Sequence, residues 1–577
     1  MVVLGICIAL EGQGHAQGRP PSDTPAAAAR VGQGIVFLRA GEMQKALEEF
    51  KAASRLDPHS AQSLVWTGIT QNQLGHFSQA ASSFHSALKI DATSQPAHYN
   101  LALSLVRLGE KQEAIHELQE VVKLDASVVD AQYNLAVLLE EKGEYREAVS
   151  HLEAARRQRP DDAGIAVHLV DDYFKTRKDS DAVLLAQQTF DTHGEGEVSV
   201  RLGSLLVENG QFQPAVPMLE SPASSSSSLP ITMLLARAYI GSGMPAKAID
   251  LLRPITESAS SGQAAYLLGL AYLSAKQPEQ AMAAFRTTVD RRPNDAAAHF
   301  HLSVLLLKSK EEGDQADGIH EMQKAIDLSP HEGAYYAGLG RWLLDAGQIA
   351  MALPVLERGV ENAPPSAELY VLLAVAQASS QSTQLAQPII EKAIALDPKI
   401  ALAHDVLGFC YFRVGEYVQA AEAYKTASDL DPSKGRFAYD TALALERANK
   451  ASEAVPYAER AANIDPSVAV NHYLLGKLYG KLERKTEAVH QLETAVQLDP
   501  ALDYPYYLLA RMYMRLGDMA KAQEWNLKLQ ELKKSQMKMH GVGSMGVPMP
   551  EAQKPSPALF LQGEQMDPEN AGAPAEH

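Results

Sequence analysis

Two short patterns in this chain resemble catalytic motifs. One lacks the residue spacing that the chemistry requires, and the other lacks the secondary-structure context. His320 and Glu321 begin a zinc-peptidase pattern, but no second histidine follows where it would place two ligands on one helical face. Gly541, Gly543 and Gly546 have dinucleotide-fingerprint spacing, yet they lie in a proline- and methionine-rich tail rather than between a strand and a helix. We therefore expect no catalytic residue and no cofactor.

Sulfur chemistry is restricted by the presence of only two cysteines, Cys7 and Cys410. Two cysteines exclude a disulfide framework and a cysteine-based zinc site. Cys410 lies between Phe409 and Tyr411 in a helical pattern, and we interpret it as a buried small hydrophobic residue. The tail contains four methionines near His540: Met537, Met539, Met545 and Met549. They have two interpretations, as thioether ligands for copper(I) or as adventitious residues that bind no metal. We assign no metal site to them.

Charge and composition restrict the class of partner. The chain has 52 basic and 70 acidic side chains, a net charge of −18, which argues against a nucleic-acid or anionic-membrane binder. Hydrophobic residues make up 46% of the chain, enough for a buried core. Aromatic residues are only 6% and alanine is abundant, a balance that favours closely packed helices over a β-sandwich.

The N-terminus contains one apolar run, residues 2–10, which is too short to span a bilayer. It has the length of a signal-peptide core and is followed by Gly14 and Ala16, although a basic segment before it is missing. We expect residues 1–26 to be a signal peptide and linker and the protein to be exported, periplasmic or extracellular. A cytoplasmic protein is the alternative if the run is not a signal. No other segment approaches transmembrane length.

A period of 34 residues organises most of the chain. Prolines recur at this spacing: Pro330, Pro364, Pro398, Pro432, Pro466 and Pro500. Between them, apolar residues recur three and four positions apart, which predicts amphipathic helices. In the unit that begins at Ala401, Gly415 is expected to end the first helix and Pro432 to follow the end of the second. Each period therefore predicts a pair of helices.

This unit resembles the tetratricopeptide repeat, whose pattern is W-x2-L-G-x2-Y, then A-x3-F-x2-A, then P. The same register recurs at Gly34, Phe37, Ala46, Phe50, Ala53 and Pro58. The resemblance implies an all-α fold, a right-handed α–α superhelix (solenoid) of stacked helix-turn-helix repeats whose core forms between neighbouring units. Fifteen units fit residues 27–534, beginning at residues 27, 61, 95, 129, 163, 196, 229, 262, 296, 333, 367, 401, 435, 469 and 503.

Departures from the pattern divide this predicted array. The unit from 163 lacks the closing proline, and the unit from 196 ends in a serine run, 224–228, that we expect to shorten its second helix. We predict an N-terminal block over 27–195, a degenerate repeat with a serine-rich joint over 196–228 and a C-terminal block over 229–534, with a bend near 163–230. The proline- and methionine-rich segment 535–577 is predicted to be a disordered tail.

In tetratricopeptide arrays, the first helices line a concave groove through their second, fifth, sixth, ninth, twelfth and thirteenth positions. The resemblance thus implies groove tyrosines at the fifth position: Tyr99, Tyr133, Tyr439, Tyr473 and Tyr507. It implies basic groove residues at the ninth and thirteenth positions: Arg413, Arg447, Lys477, Lys481, Arg511 and Arg515. Asn100 and Asn134 occupy the sixth position, where asparagines hold a peptide backbone in protein O-linked N-acetylglucosamine transferases.

These residues lead us to expect a non-catalytic scaffold that binds extended peptides or partner helices in the groove. The basic row favours an acidic peptide, although a cation in the last turn of a helix also complements the helix dipole without any ligand. One alternative is a substrate-recruiting subunit of an enzyme complex, such as a glycosyltransferase or a secretion or assembly machinery. Another is a self-associating array. The residues outside the repeats are too few for an independent catalytic core.

Overall fold

The computed structural model describes residues 24–225, 228–258, 261–311, 313–380 and 383–540, and the structural statements below refer to these residues. They form thirty helices and no strand, so the fold is all-α as predicted. The expected signal peptide up to residue 23, the middle of the serine run and the tail beyond His540 lie outside the described residues. Export and the properties of the tail stay predictions.

The chain divides into two compact units, one ending at Ile255 and one beginning at Thr256, and each is described by itself. The first fourteen helices are α1 Pro25–Arg39, α2 Met43–Leu56, α3 Ala61–Gln73, α4 Phe77–Ile90, α5 Gln95–Leu108, α6 Lys111–Leu124, α7 Val129–Lys142, α8 Tyr145–Gln158, α9 Ala163–Lys175, α10 Asp179–His193, α11 Glu197–Glu208, α12 Phe212–Ser225, α13 Leu229–Gly241 and α14 Pro245–Ser258.

The remaining helices follow the same alternation of a first and a second helix. They are α15 Gly262–Ser274, α16 Pro278–Arg291, α17 Ala296–Lys308, α18 Asp314–Leu328, α19 Gly333–Asp345, α20 Ile349–Asn362, α21 Ala367–Ser379, α22 Thr383–Leu396, α23 Ala401–Arg413, α24 Tyr417–Leu430, α25 Gly435–Arg447, α26 Ala451–Ile464, α27 Ala469–Lys481, α28 Lys485–Leu498, α29 Tyr504–Leu516 and α30 Met519–His540.

The predicted repeat starts coincide with the first helices. Every first helix begins within two residues of its predicted start, and most begin at that residue. Two details differ from the predictions. Helix α12 has 14 residues, as many as α14, so the expected shortening beside the serine run was wrong. Helix α30 continues to His540, beyond the predicted start of the tail at 535. The predicted bend near 163–230 stays a prediction.

Glycines act at two kinds of position in the repeat, as the unit from Ala401 illustrates. Gly415 adopts a φ of +85° after α23, a left-handed conformation that ends the helix at little steric cost. Gly408 lies where α23 crosses α24, and a Cβ there would be 2.7 Å from the ring of Tyr424. Helix pairs therefore approach closely because a side chain is missing from the first helix.

The first helices form a layer of their own. Within each unit, second helices such as α2, α4, α24 and α26 pack against the first helix of their own repeat and against that of the next repeat. Consecutive first helices also contact each other, as in α19–α21, α21–α23, α25–α27 and α27–α29. Side chains on the first helices therefore come together across repeats, and this layer positions the candidate site.

One recurring hydrogen bond fixes the loop that precedes a first helix. A side chain near the start of the helix donates to the backbone carbonyl six residues earlier. The distances lie between 2.9 and 3.0 Å, and the donors are His98, His299, Tyr336, His404, His472 and Tyr506. These bonds satisfy loop carbonyls that would otherwise lack a partner.

A second recurring bond links neighbouring repeats. A tyrosine hydroxyl late in the first helix donates to a glutamate twenty residues earlier, on the second helix of the preceding repeat. The pairs are Tyr173–Glu153 at 3.0 Å, Tyr479–Glu459 at 2.6 Å and Tyr513–Glu493 at 2.7 Å. Burial and this carboxylate raise the pKa of each of the three tyrosines to about 12, so the hydroxyl remains a donor near neutral pH.

Candidate functional site

The predicted groove residues of α23, α25, α27 and α29 lie in or beside two charged clusters. We call Glu446, Arg447, Lys477 and Lys481 the basic cluster. We call Asp405, Arg436 and Asp440 the acidic cluster. Both clusters have members on α25, and each extends to a neighbouring first helix. The layer of first helices therefore brings together charges that lie far apart in sequence.

A single carboxylate lies at the centre of the basic cluster. Glu446 is only 4% exposed, and its Oε1 accepts hydrogen bonds from Lys477 Nζ at 3.1 Å and from Lys481 Nζ. Arg447 Nε lies 3.8 Å from Oε2 of the same carboxylate. Burial on its own would raise the pKa of Glu446, but the hydrogen bonds from the two lysines hold it below its ordinary value. Three cations thus share one carboxylate, and the cluster is net positive.

The other members of the predicted basic row have different surroundings. The Arg413 guanidinium lies 6.0 Å from the ring centroid of Phe409. Arg515 Nη1 lies 3.0 Å from Glu483 Oε1, so this cation is already paired. Arg511 is exposed and has no ion pair among the described residues. The basic row is therefore not a uniform series, because some of its cations are paired with a carboxylate of the chain and others are not.

Tyrosines lie beside the basic cluster. Tyr439 and Tyr473 are half-buried, and the ring centroid of Tyr473 lies 6.0 Å from that of Tyr504. Burial, with a smaller contribution from Glu446, raises the pKa of Tyr473 to about 12, and burial raises that of Tyr439 as well. Tyr507 is 57% exposed. Tyr439 and Tyr473 therefore offer neutral hydroxyl groups near neutral pH, and all three tyrosines offer ring surface to a ligand.

The acidic cluster has the opposite imbalance. Asp405 on α23 is fully buried, and Arg436 Nη2 on α25 donates to its Oδ2. The Arg436 Nε also donates to Asp440 Oδ2 at 3.3 Å. Asp405 Oδ1 is buried and has no hydrogen-bond partner. Burial raises the pKa of both carboxyls above the ordinary value, that of Asp440 to about 7, and the shared guanidinium offsets only part of this rise.

In the predicted asparagine pair, both side-chain nitrogens have partners within the chain, whereas the buried Oδ1 of Asn134 has no hydrogen-bond partner. Asn134 is 2% exposed, and its amide Nδ2 donates to the hydroxyl of the buried Tyr99 at 3.1 Å. The Nδ2 of Asn100 donates to the carbonyl of Pro96, in its own helix, at 2.8 Å. The role of Tyr99, Asn100 and Asn134 in gripping a peptide backbone therefore stays a prediction, with both amide nitrogens already bonded within the chain.

Beside that pair, α7 and α9 contain a further buried acid. Tyr133 is half-buried and meets the ring of His168 edge-on at 5.5 Å, and His168 Nδ1 lies 2.9 Å from Glu140 Oε2. Asp172 is fully buried, and neither carboxylate oxygen has a hydrogen-bond partner. Burial, assisted by the nearby Glu140, raises the pKa of Asp172 to about 8.

Other features that bear on chemistry are few in the part of the chain that the structure describes. Cys410 is buried as predicted, and burial raises the pKa of its thiol to about 12, which opposes formation of a thiolate nucleophile. An open cleft of about 500 Å³ is lined by residues of α11, α12 and α13, together with Glu195 and Ser221.

No group of three or more His, Cys, Asp or Glu among the described residues is arranged to hold a metal ion. No described helix is long and apolar enough to cross a membrane.

Comparison with known families agrees with this repeat architecture. One tetratricopeptide repeat model matches residues 19–61, 99–163, 233–296, 266–332 and 411–469. A second tetratricopeptide repeat model matches residues 367–400, 469–502 and 504–536. Together the matches cover more than half of the chain. The chain belongs to the tetratricopeptide repeat family.

Several solved structures are similar to this tetratricopeptide repeat protein in fold. MamA from Desulfovibrio magneticus RS-1, residues 41 to the end, is 24% identical over 30% of this chain and 96% of that chain, with a TM-score of 0.29. The anaphase-promoting complex assembly Cut9–Hcn1 is 15% identical over 79% and 96%, with a TM-score of 0.34. Naa15/Naa10 bound to HypK-THB is 16% identical over 92% and 85%, with a TM-score of 0.34. No curated protein matches the chain.

Sequence reasoning about the tetratricopeptide repeats missed the acidic members of both clusters. Asp405, Arg436 and Asp440 occupy the fifth, second and sixth positions of consecutive repeats, and Glu446 occupies the twelfth. All four are groove positions in the family. A check of every groove position for charged side chains could therefore have found them. Their pairing depends on contacts between first helices, which side-chain type does not reveal.

Proposed function

We propose that this tetratricopeptide repeat protein is a non-catalytic interaction scaffold that binds an acidic, extended segment of a partner protein along α25, α27 and α29. The observation that carries the proposal is the basic cluster, in which three cations share the single carboxylate of Glu446. A local excess of positive charge in a chain of net charge −18 favours an acidic ligand.

The neighbouring side chains suit such a ligand. Glu446 fixes the ammonium groups of Lys477 and Lys481, which reduces the rotamer freedom that a ligand would otherwise have to restrict. Arg447 and Arg511 are exposed, and a guanidinium can form two parallel hydrogen bonds to one carboxylate. Tyr473 offers a flat ring and a neutral hydroxyl beside them. The ligand would therefore meet fixed charges and aromatic contact area.

Charge reversal of the exposed arginines tests the proposal. In the full chain, Arg447→Glu/Arg511→Glu should weaken binding of a short fluorescein-labelled peptide with a central glutamate block by about tenfold or more, measured by fluorescence anisotropy. The wild-type affinity should also fall as salt concentration rises, because exposed charges are screened.

A matched control uses basic residues that lie on second helices. Lys425 on α24 and Lys534 on α30 are exposed, so Lys425→Glu/Lys534→Glu makes the same change in net charge away from the groove. This variant should bind the peptide almost as tightly as the wild type. Equal loss in the two double variants, or no binding of the glutamate peptide by the wild type, would contradict the proposal.

A further inference from the structure

We infer that the acidic cluster is a second subsite of the same groove, which takes an arginine or lysine side chain of the partner segment. Asp405, Arg436 and Asp440 place two carboxylates against one guanidinium on adjoining first helices. The inference rests on the proposed function, because it assigns a second charge to the segment that the basic cluster is proposed to bind.

The first argument is an unpaired buried oxygen. Asp405 is fully buried and its Oδ1 has no hydrogen-bond partner. A buried polar atom without a partner costs free energy, more so when the group carries charge. The cluster is therefore incompletely satisfied in the free protein, and an added cation would relieve this deficit.

The second argument is the way in which Arg436 divides its donors. Arg436 Nη2 donates to Asp405 Oδ2 and its Nε donates to Asp440 Oδ2, so one guanidinium is divided between two carboxylates. Asp440 is the accessible acid, with 20% of its side chain exposed. A cation that binds Asp440 allows Arg436 to turn fully to Asp405, where two parallel hydrogen bonds would also satisfy Oδ1.

The third argument is the position of the acidic cluster relative to the basic cluster. Asp440 and Arg447 lie on the same helix, α25, seven residues apart, which corresponds to about 10 Å along the axis. An extended chain covers about 3.3–3.6 Å per residue. One segment with a basic residue about three positions from its acidic block therefore reaches both clusters.

The test compares peptides that differ in one charge. Fluorescein-labelled peptides contain a glutamate block and, three positions before or after it, either arginine or its neutral analogue citrulline. With the full wild-type chain, one of the two arginine peptides should bind about tenfold more tightly than its citrulline counterpart. Asp440→Asn should abolish this preference while leaving the affinity for the citrulline peptide unchanged.

The control variant and the alternative outcomes separate this inference from the proposed function. Asp429→Asn removes an exposed carboxylate on α24 and should keep the arginine preference. Equal binding of arginine and citrulline peptides by the wild type, or a preference that survives in Asp440→Asn, would overturn the subsite and leave the acidic-segment scaffold intact. Failure of every peptide to bind would overturn the scaffold proposal and the subsite with it. Retained binding of the citrulline peptide shows that Asp440→Asn still folds.

Discussion

Two sets of groove-position residues, on α5–α7 and on α23–α27, satisfy their polar groups in different ways. On α5 and α7, neutral groups bond to one another or to their own helix, as in Asn134 with Tyr99 and Asn100 with Pro96. On α23–α27, ionised groups share too few partners, as in the single guanidinium of Arg436 and the single carboxylate of Glu446. Equivalent repeat positions thus contribute to packing in one region and leave charge available in the other.

The two regions should also differ in how much a single substitution lowers the free energy of unfolding. A neutral hydrogen bond contributes about 1 kcal/mol to stability, whereas removal of one partner from a buried ion pair costs about 3–5 kcal/mol. The charged clusters should therefore be the more sensitive region to single substitutions. Buried oxygens without a hydrogen-bond partner occur in both regions, as in Asp405 Oδ1 and Asn134 Oδ1. Two predictions test this contrast, and a third tests the buried acid Asp172 on the neighbouring α9.

The largest effect is expected for Arg436→Met. The substitution keeps an unbranched apolar stem but leaves the buried Asp405 and the partly exposed Asp440 without a cation, so the free energy of local unfolding should fall by about 3–5 kcal/mol. Hydrogen exchange in α23 and α25 measures the change, which avoids assuming two-state unfolding of a repeat array. Adding Asp405→Asn and Asp440→Asn to the variant should recover much of the loss. No recovery would mean that packing rather than charge explains it.

An intermediate effect is expected from the pH dependence of Asp172. The folded-state pKa is raised from 3.8 to about 8, so the folded chain retains a proton that the unfolded chain releases over this range. The stability contributed by this group is complete below pH 3.8 and is lost as the pH rises towards 8, with a slope of at most about 1.4 kcal/mol per pH unit. Asp172→Asn should flatten this decline between about pH 5 and 8, as followed by hydrogen exchange in α9.

The control for Asp172 is Asp181→Asn, an exposed acid on α10. Because that carboxylate is exposed, its removal should leave the decline of stability with pH unchanged. If Asp172→Asn and the wild type show the same pH slope, the buried carboxyl is not protonated in the folded chain and must have acquired a partner.

The smallest effect is expected for Tyr99→Phe. Loss of the hydroxyl leaves the Asn134 amide without this acceptor, and local stability in α5 and α7 should fall by about 1–2 kcal/mol. Affinity for the glutamate peptide should not change, because this pair is bonded within the chain and buried. Asn100→Ala, which removes a donor bonded to its own helix, should cost less. Weaker peptide binding by Tyr99→Phe would place this pair in the ligand groove and erase the contrast.

The repeat architecture was predictable because its signals are local. Apolar spacing, the recurring prolines and glycines such as Gly415 act within one helix or one turn, and the predicted starts of the first helices are correct to within two residues. The ends were predicted less well at α12 and α30. There, the serine run and the end of the apolar periodicity after residue 534 were interpreted as the end of a helix, although a helix can continue beyond its last periodic turn.

The candidate site was predictable only in part. The cations Lys477 and Lys481 follow from repeat position, but their compensation by Glu446 depends on contacts with residues 31 and 35 positions away. Arg436 likewise reaches Asp405 across 31 residues. Whether a polar side chain at a groove position is exposed, as Arg511 is, or buried, as Asn134 is, depends on the neighbouring first helix.

The tyrosine–glutamate bond between repeats bears on how the length of this protein can change. Tyr479 pairs with Glu459 and Tyr513 with Glu493, and the two pairs are offset by one period of 34 residues. Deletion of residues 469–502 would therefore bring Tyr513 into the place of Tyr479, opposite Glu459. Loss or duplication of one whole period therefore restores the junction. A unit one residue shorter also keeps the bond, because Tyr239 donates to Glu220, nineteen residues earlier, at 2.8 Å. The bond is thus compatible with gene-level gains and losses of whole repeats and with a small change in repeat length.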